Sequence, residues 1–498
     1  MRKAALSGVR LRVQDNRLNY TATAGALSEA MRGEFQRWRT ELIAELSLPE
    51  FKPRQNRETV LQLPEDCVHW LRETLQCVAN TNFTHMIVKL SGPLDMERAE
   101  RRLRAVFSRH DLLSARLRLV SGIASLHFAP QSSDILTVTV VQPGADGNAA
   151  ADLTQLLEQL VWGQFADGAV FRAFLLKISA GESVFGFVLH HFVGDYFSCR
   201  TLARETLAAL TAPSSSELAP EPRPLQYSDY FCALRDWSCG PGLAYREAFW
   251  KHHMAGTPAV RLPDQLSPGD ALSAPINTVA FQVEQDLRSG LARTATDSGS
   301  SLLEVLVTAK LAALWNLLRR EDLVVTAVVA GRDQPALLNM LGNTVNCIPV
   351  RVFVRPEMSF AELLERVRES YGVACRYQIP WHMLAPKLEE IGASVVSPTI
   401  NFLPEWYFNQ SERNPISGEM AIQPMSIPAP PTSGLVEFHS SHAMLLCDTR
   451  RGLLGSVSFA SSRYLQETIE IAIAEFMRCL REFAQDVQRT ISADAVKR

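Results

Sequence analysis

A chain of 498 residues, 47% hydrophobic and 21% charged, has a globular composition and is too long for one ordinary core, so two or three domains are expected. Its formal net charge of -3 gives no general attraction to nucleic acid or anionic membrane, and Lys310 interrupts the longest apolar run before it reaches membrane-spanning length. The nine cysteines form no Cys-x-x-Cys pair or Cys/His cluster, which argues against a zinc site or a disulfide framework; with no signal peptide visible, the reducing cytosol is the expected setting.

Residues 1–48 read as a unit of their own. Val9-Arg-Leu-Arg-Val13 and Arg17-Leu-Asn-Tyr20 alternate apolar and polar residues around a tight-turn sequence, Gln14-Asp-Asn16. A β-hairpin is expected. Ser28 is an N-cap candidate for a helix carrying Met31, Phe35, Trp38, Leu42 and Leu46 on one face. A hairpin and a short helical pair make a very small core, of modest stability. Arg10 and Arg12 lie on the polar hairpin face, with Arg17 close by and Val13 at the strand end. The plain reading is a solvated basic face; the functional one is an open edge that takes an acidic peptide as an added strand. Residues 49–59, with Pro49 and Pro53, read as a linker.

In the main body, His85 to Leu90 is a strand candidate and Met96 to Phe107 an amphipathic helix, running into Arg109-His-Asp-Leu-Leu-Ser-Ala-Arg-Leu117. Phe185-Gly-Phe-Val-Leu-His-His-Phe-Val-Gly-Asp-Tyr-Phe-Ser198 then reads as a buried strand, a turn at Gly194-Asp195 and a helix carrying Phe197, Leu202, Thr206 and Leu210. His190 and His191 close the strand, where neighbouring side chains face opposite ways. One imidazole can look into a cleft while the other packs inward. A positioned imidazole can take a proton from an attacking amine or hydroxyl. Asp195 could orient a ring, pair with an arginine or cap the helix. On spacing alone, two partly buried histidines are the commoner outcome.

After a proline-rich connector, 212–224, come Tyr227-Ser-Asp-Tyr230, Trp237 and Phe249-Trp250; His252 and His253 read as surface residues. Ser301-Leu-Leu-Glu304 is a capping box for a long apolar helix, Leu302 to Leu318. A valine-rich strand, Leu323 to Ala330, leads into Gly331-Arg-Asp333, then Leu341-Gly-Asn-Thr-Val-Asn-Cys-Ile-Pro-Val-Arg351 and Tyr377-Gln-Ile-Pro-Trp381. Asn346 could bind substrate, pin a bridging strand or end a turn. Pro404 to Gly434 reads as a long loop, and Gly452 to Ser458 and a helix from Leu465 to Phe483 close the chain.

His-His-x-x-x-Asp at 190–195 resembles the signature of the condensation domains of nonribosomal peptide synthetases, with Tyr196 in place of the family's glycine. Arg109-His110, Tyr227-x-Asp-Tyr230, Ala330-Gly-Arg-Asp333, Gly342-x-x-Val-Asn346 with Pro349 and Arg351, and Pro398-Thr-Ile-Asn401 resemble further family motifs in the family's order. The early motif is poorly kept around Leu63 to Leu71. The resemblance implies two chloramphenicol-acetyltransferase-like α/β lobes in a V shape, 60–225 and 226–498. It implies transfer of an acyl group from a phosphopantetheine thioester on a carrier protein, with no cofactor or metal of its own. His191 would position or deprotonate the nucleophile, Gly194 would help hold the oxyanion, and His190 and Asp195 would be structural. Asp195 would be held by an arginine, Arg109 or Arg116. Tyr196, Ser198 and Asn346 would line the substrate channel.

Residues 8–27 resemble the β-hairpin docking domains at the front of some synthetase and synthase subunits, which implies that Arg10, Arg12, Val13 and Arg17 help bind a short C-terminal tail of an acyl or peptidyl carrier protein. The length leaves no room for an adenylation or carrier domain, so a stand-alone, monomeric enzyme is expected, with a small-molecule acceptor and ester formation with chain release favoured over amide. The rival expectations are an inactive module that recruits a partner enzyme and an acyltransferase using acyl-CoA. An epimerase lacks its Ser-Trp-Arg continuation here, and a cyclisation domain would carry aspartate at position 190.

Overall fold

The computed structural model describes residues 7–14, 17–54, 59–63, 83–121, 123–128, 135–141, 149–163, 168–213, 222–263, 276–394, 397–404, 420–425, 427 and 440–492. The poorly kept motif beyond Leu63, most of the proline-rich connector and most of the loop after Pro404 lie outside them.

The chain opens with the expected hairpin. Strands β1 (Val9–Gln14) and β2 (Arg17–Ala22) pair antiparallel, with Gln14 opposite Arg17. The helical stretch expected after Ser28 forms a short helical pair, α1 (Glu29–Arg37) and α2 (Arg39–Leu46). Trp38 leaves helical geometry at φ -104°, ψ 22° and is half exposed, while Phe35 and Leu42 still turn inward onto Val9. The C-terminal end of the second helix meets the main body, where Arg246 donates to the Glu45 carbonyl.

The first lobe is built on a five-stranded sheet in the order β14-β4-β9-β8-β7: Ala421–Pro424, Phe83–Ser91, Glu182–His190, Phe171–Lys177 and Leu136–Val140. Strand β9 is buried along nearly its whole length, as its unbroken apolar run requires. Helices α3 (Met96–Phe107) and α5 (Tyr196–Thr211) pack together over one face, and α4 (Ala149–Trp162) packs under the other. A smaller sheet, β3-β6-β5 (Val60–Gln62, Ile123–Phe128, Ala115–Val120), lies beside it.

The second lobe carries a six-stranded sheet, β10-β16-β15-β13-β11-β12, from Ile276–Glu284, Gly452–Ala460, Ser440–Thr449, Ser397–Leu403, Asp322–Val329 and Asn346–Phe353. Helix α9 (Leu302–Leu318) begins at the expected Ser301–Glu304 capping box and is buried from Val305 to Trp315, as a helix that is apolar on nearly every side must be. It packs on α8 (Gln285–Asp297), α10 (Phe360–Arg376) and α12 (Gln466–Gln485).

The lobes interlock. Strand β14 comes from the second half of the chain but pairs antiparallel with β4, Ala421 opposite Ser91. Tyr227 and Cys232 of α6 (Tyr227–Ser238) and Leu337, Met340 and Leu341 join the core of the first lobe. Helices α7 (Pro241–Met254) and α11 (Trp381–Glu389) complete the second. His253 is not a free surface residue: its ring stacks on Phe249 at 5.2 Å, and burial lowers its pKa. No single helix among the described residues is long and apolar enough to cross a membrane.

Candidate active site

Strand β9 ends at His190 and α5 starts at Tyr196, so residues 191–195 form a short loop between a buried strand and a helix. The loop closes on itself: the N–H groups of Val193 and Gly194 both donate to the His190 carbonyl, each at 3.0 Å. Gly194 has no room for a side chain, because a Cβ there would run into Leu189 Cδ2. Its N–H is also engaged, so the role of oxyanion donor expected for Gly194 is not supported by this geometry. Gly194 acts through its carbonyl, which lies 3.0 Å from His191 Nδ1. A carbonyl can only accept, so Nδ1 carries a proton, and in the neutral ring Nε2 is the nitrogen that bears the lone pair. His191 is partly exposed.

The neighbouring histidine is placed differently. His190 is buried, accepts the Phe192 N–H at Nδ1 (3.2 Å) and packs edge-on to Phe83 at 5.8 Å. Burial, and then repulsion from His191 whenever that ring is protonated, push its pKa down to about 4. It is a neutral packing residue. Alternation along the strand end has therefore separated two identical side chains into one accessible ring and one enclosed ring.

Asp195 is completely buried and both caps α5 and pairs with an arginine. Its Oδ1 accepts from the Ser198 N–H and hydroxyl, each at 2.8 Å. Its Oδ2 accepts from the Thr344 N–H (3.1 Å) and hydroxyl (3.2 Å). The cation is Arg332, whose Nη2 stands 2.9 Å from both carboxylate oxygens. This corrects the expectation of Arg109 or Arg116. Arg109 instead pairs with Glu205 at 3.2 Å, beside His110 at 2.8 Å from the same oxygen. Arg116 lies on β5, opposite His127 of β6 and bridged to Ala169. Both belong to the first lobe, whereas Arg332 arrives from the second.

Arg332 is itself held by the carbonyls of Met340 (2.8 Å), Gly342 (2.8 Å) and Leu337. A buried charge needs this degree of satisfaction to be tolerated. The next residues of the same connection between the antiparallel strands β11 and β12 reach the histidine loop directly, since Asn343 Nδ2 donates to the His191 carbonyl at 2.9 Å. Sequence reasoning missed Arg332, Asn343 and Thr344 as site residues. The available signal was the Gly-Arg-Asp and Gly-Asn-Thr pair bracketing the loop between β11 and β12, which names the segment but not its target.

Two expected channel residues are structural. Ser198 is fully buried and bridges Asp195 to the Gly342 main chain, giving its one hydroxyl proton to Asp195 and accepting the Gly342 N–H at 3.0 Å. Asn346 is buried too; its Nδ2 donates to the Ile379 carbonyl (2.9 Å) and its Oδ1 accepts from the Trp381 N–H (2.8 Å). It pins the 378–381 segment to β12, and its polar atoms are spent. Tyr196 is half-buried at the start of α5 with its ring edge-on to Phe197. Burial raises its pKa, so the phenol is neutral and able to donate. Arg10, Arg12 and Arg17 are exposed on the hairpin, far along the chain from this loop, and Val13 is half-buried. Among the described residues no cluster of metal-ligating side chains occurs.

Residues 70–496 match the family model described as Condensation domain. The chain is 29% identical over 428 residues to a probable non-canonical nonribosomal peptide synthetase of Salinispora arenicola, covering 83% of this chain and 5% of that protein. It is 23% identical over 429 residues to the enniatin synthase of Fusarium equiseti, covering 85% of this chain and 13% of that protein. The chain thus spans only a small fraction of the length of such curated relatives. Among solved structures it resembles the X-domain from teicoplanin biosynthesis (TM-score 0.70, 19% identity, 89% of this chain and 99% of that one). It also resembles the condensation domain of chain release from the enacyloxin polyketide synthase (TM-score 0.67, 18% identity, 98% of this chain and 96% of that one). These likenesses agree with two lobes of the chloramphenicol-acetyltransferase type. With its two interlocked lobes and its histidine loop between a buried strand and a capped helix, the chain belongs to the condensation domain family of peptide and polyketide assembly lines.

Proposed function

We propose that this protein transfers an acyl chain from a phosphopantetheine thioester on a carrier protein to a hydroxyl or amine acceptor, with ester formation and chain release favoured. The observation that carries the reading is the tautomer of His191. With Nδ1–H tied to the Gly194 carbonyl, Nε2 is the one ring atom able to accept a proton. It would take the proton from the acceptor as its oxygen or nitrogen attacks the thioester carbonyl. The tetrahedral adduct then expels the pantetheine sulfur, which receives that proton. Help of this kind contributes about two to four orders of magnitude in rate. His190 and Asp195 would hold the loop, and Tyr196 would stand beside the pantetheine arm as a neutral donor.

The hairpin would take the C-terminal tail of the carrier protein. Its exposed Arg10, Arg12 and Arg17 suit an acidic peptide added as a strand. The enacyloxin chain-release domain is matched over 98% of this chain, against 89% for the X-domain, so that likeness reaches the N-terminal unit as well.

The test is intact-mass analysis of an acyl-loaded carrier protein bearing its C-terminal tail, mixed with hydroxyl and amine acceptors. Loss of the acyl group with a matching ester, abolished by His191→Ala, is expected. Carrier binding without transfer to any acceptor would instead favour a recruitment module, and transfer from acyl-CoA alone would remove the carrier from the reading.

A further inference from the structure

The N-terminal unit does not hang from a free tether. The end of α2 is capped by the main body: Arg246, buried on α7, donates to the carbonyls of Ala44 (3.4 Å), Glu45 (3.1 Å) and Ser47 (3.3 Å). Trp237 Nε1 donates to the Ser47 carbonyl as well, at 2.9 Å. The approach is so close that a Cβ on Gly242 would sit on that carbonyl. Residues 48–54 then run as a strap along α6. The Arg54 N–H donates to Asp229 at 3.1 Å, and its side chain pairs with Asp236.

From this strap a continuous set of contacts leads to the histidine loop. Phe51 stacks on Tyr230 at 5.2 Å, and Tyr230 stacks on Tyr227 at 5.9 Å. The Tyr227 ring lies against Gly342, where a side chain could not fit, and its hydroxyl donates to the Asn343 carbonyl at 3.0 Å. Asn343 donates in turn to the His191 carbonyl. A second contact runs in parallel, from Gln334 Nε2 to the Pro49 carbonyl at 3.0 Å, on the same β11–β12 loop that carries Arg332. Stacked rings and spent hydrogen bonds shift together because packed interiors have little free volume.

We propose that the N-terminal unit braces the histidine loop through Phe51, Tyr230, Tyr227 and Asn343, so that loosening the strap loosens His191 even when no carrier is docked. Phe51 is thus a positioning residue. The kinetic part of this inference rests on the acyl-transfer reading; the structural part does not.

The experiment uses the full chain with Phe51→Ala and Phe51→Tyr, the second keeping the stack. Hydrogen exchange read by mass spectrometry on peptides spanning 190–198 and 331–345 is the first measurement. Exchange about threefold to tenfold faster in Phe51→Ala, restored in Phe51→Tyr and absent from the β10–β16 pair, is expected, a size typical of mutations along packed networks. In parallel, kcat for a soluble acyl-pantetheine thioester, which needs no docking, should fall by a similar factor with KM unchanged. Unchanged exchange in both peptides overturns the proposal, as does an unchanged kcat in an active enzyme. If wild-type protein transfers no acyl group from any donor, the acyl-transfer reading fails, and the exchange result alone decides the brace.

Discussion

Replacing Arg332 by methionine keeps much of the side-chain volume and removes the cation facing Asp195. The carboxylate would remain fully buried with the N–H and hydroxyl of Ser198 and of Thr344 as its donors, and the carbonyls of Met340 and Gly342 would lose theirs. Stranding one partner of a buried ion pair costs about 3–5 kcal/mol. Asp195→Asn preserves the cap on α5 but strands the guanidinium, at a cost of the same order. The double variant leaves no buried net charge at the site, so its cost should fall short of the sum of the single costs by about 2 kcal/mol or more. Urea unfolding followed by circular dichroism on all four proteins measures this coupling. Costs that add to within about 0.5 kcal/mol would refute the argument that the two charges depend on each other across the lobes.

Lys310 is buried in α9 with its amine 3.0 Å from His442 Nε2, and burial lowers its pKa from 10.5 to about 7. The unfolded chain therefore binds this proton up to higher pH than the folded one, so stability rises from pH 7 to about 10 and the burial cost is fully felt below pH 7. Lys310→Met should raise the melting temperature at pH 7, with a ceiling of roughly 5 kcal/mol, and the gain should shrink toward pH 10; a gain independent of pH would count against this assignment. Gly194→Ala should cost about 1–3 kcal/mol by driving a methyl into Leu189 and should abolish transfer; thermal melts beside the mass assay check both effects. Asn346→Ala should lower stability by about 1–3 kcal/mol without changing KM for the acceptor. A raised KM at unchanged stability would return Asn346 to the substrate channel.

Much of the architecture was legible in the sequence because local patterns decide local structure. The apolar run ending at His190, the Gly194-Asp195 turn and the Ser301–Glu304 capping box each specify an element through contacts a few residues long, and each forms as read. The order of motifs pointed to the family because it reflects how the elements follow one another in the chain. The position of the break, at Trp38, was not legible, since the helical spacing of Met31, Phe35 and Leu42 continues straight through it.

What the sequence determined by itself is the set of elements and the presence of two adjacent histidines at a strand end. Tertiary structure decided which ring is enclosed, which arginine holds Asp195, and that Ser198 and Asn346 spend their polar atoms on the scaffold. Arg109 stands in the motif-bearing stretch of the first lobe, yet it is Arg332, 137 residues from Asp195, that makes the pair. A buried charge is held by whichever opposite charge the fold brings within hydrogen-bonding distance. That distance is set by the crossing of two lobes, and sequence separation carries no measure of it.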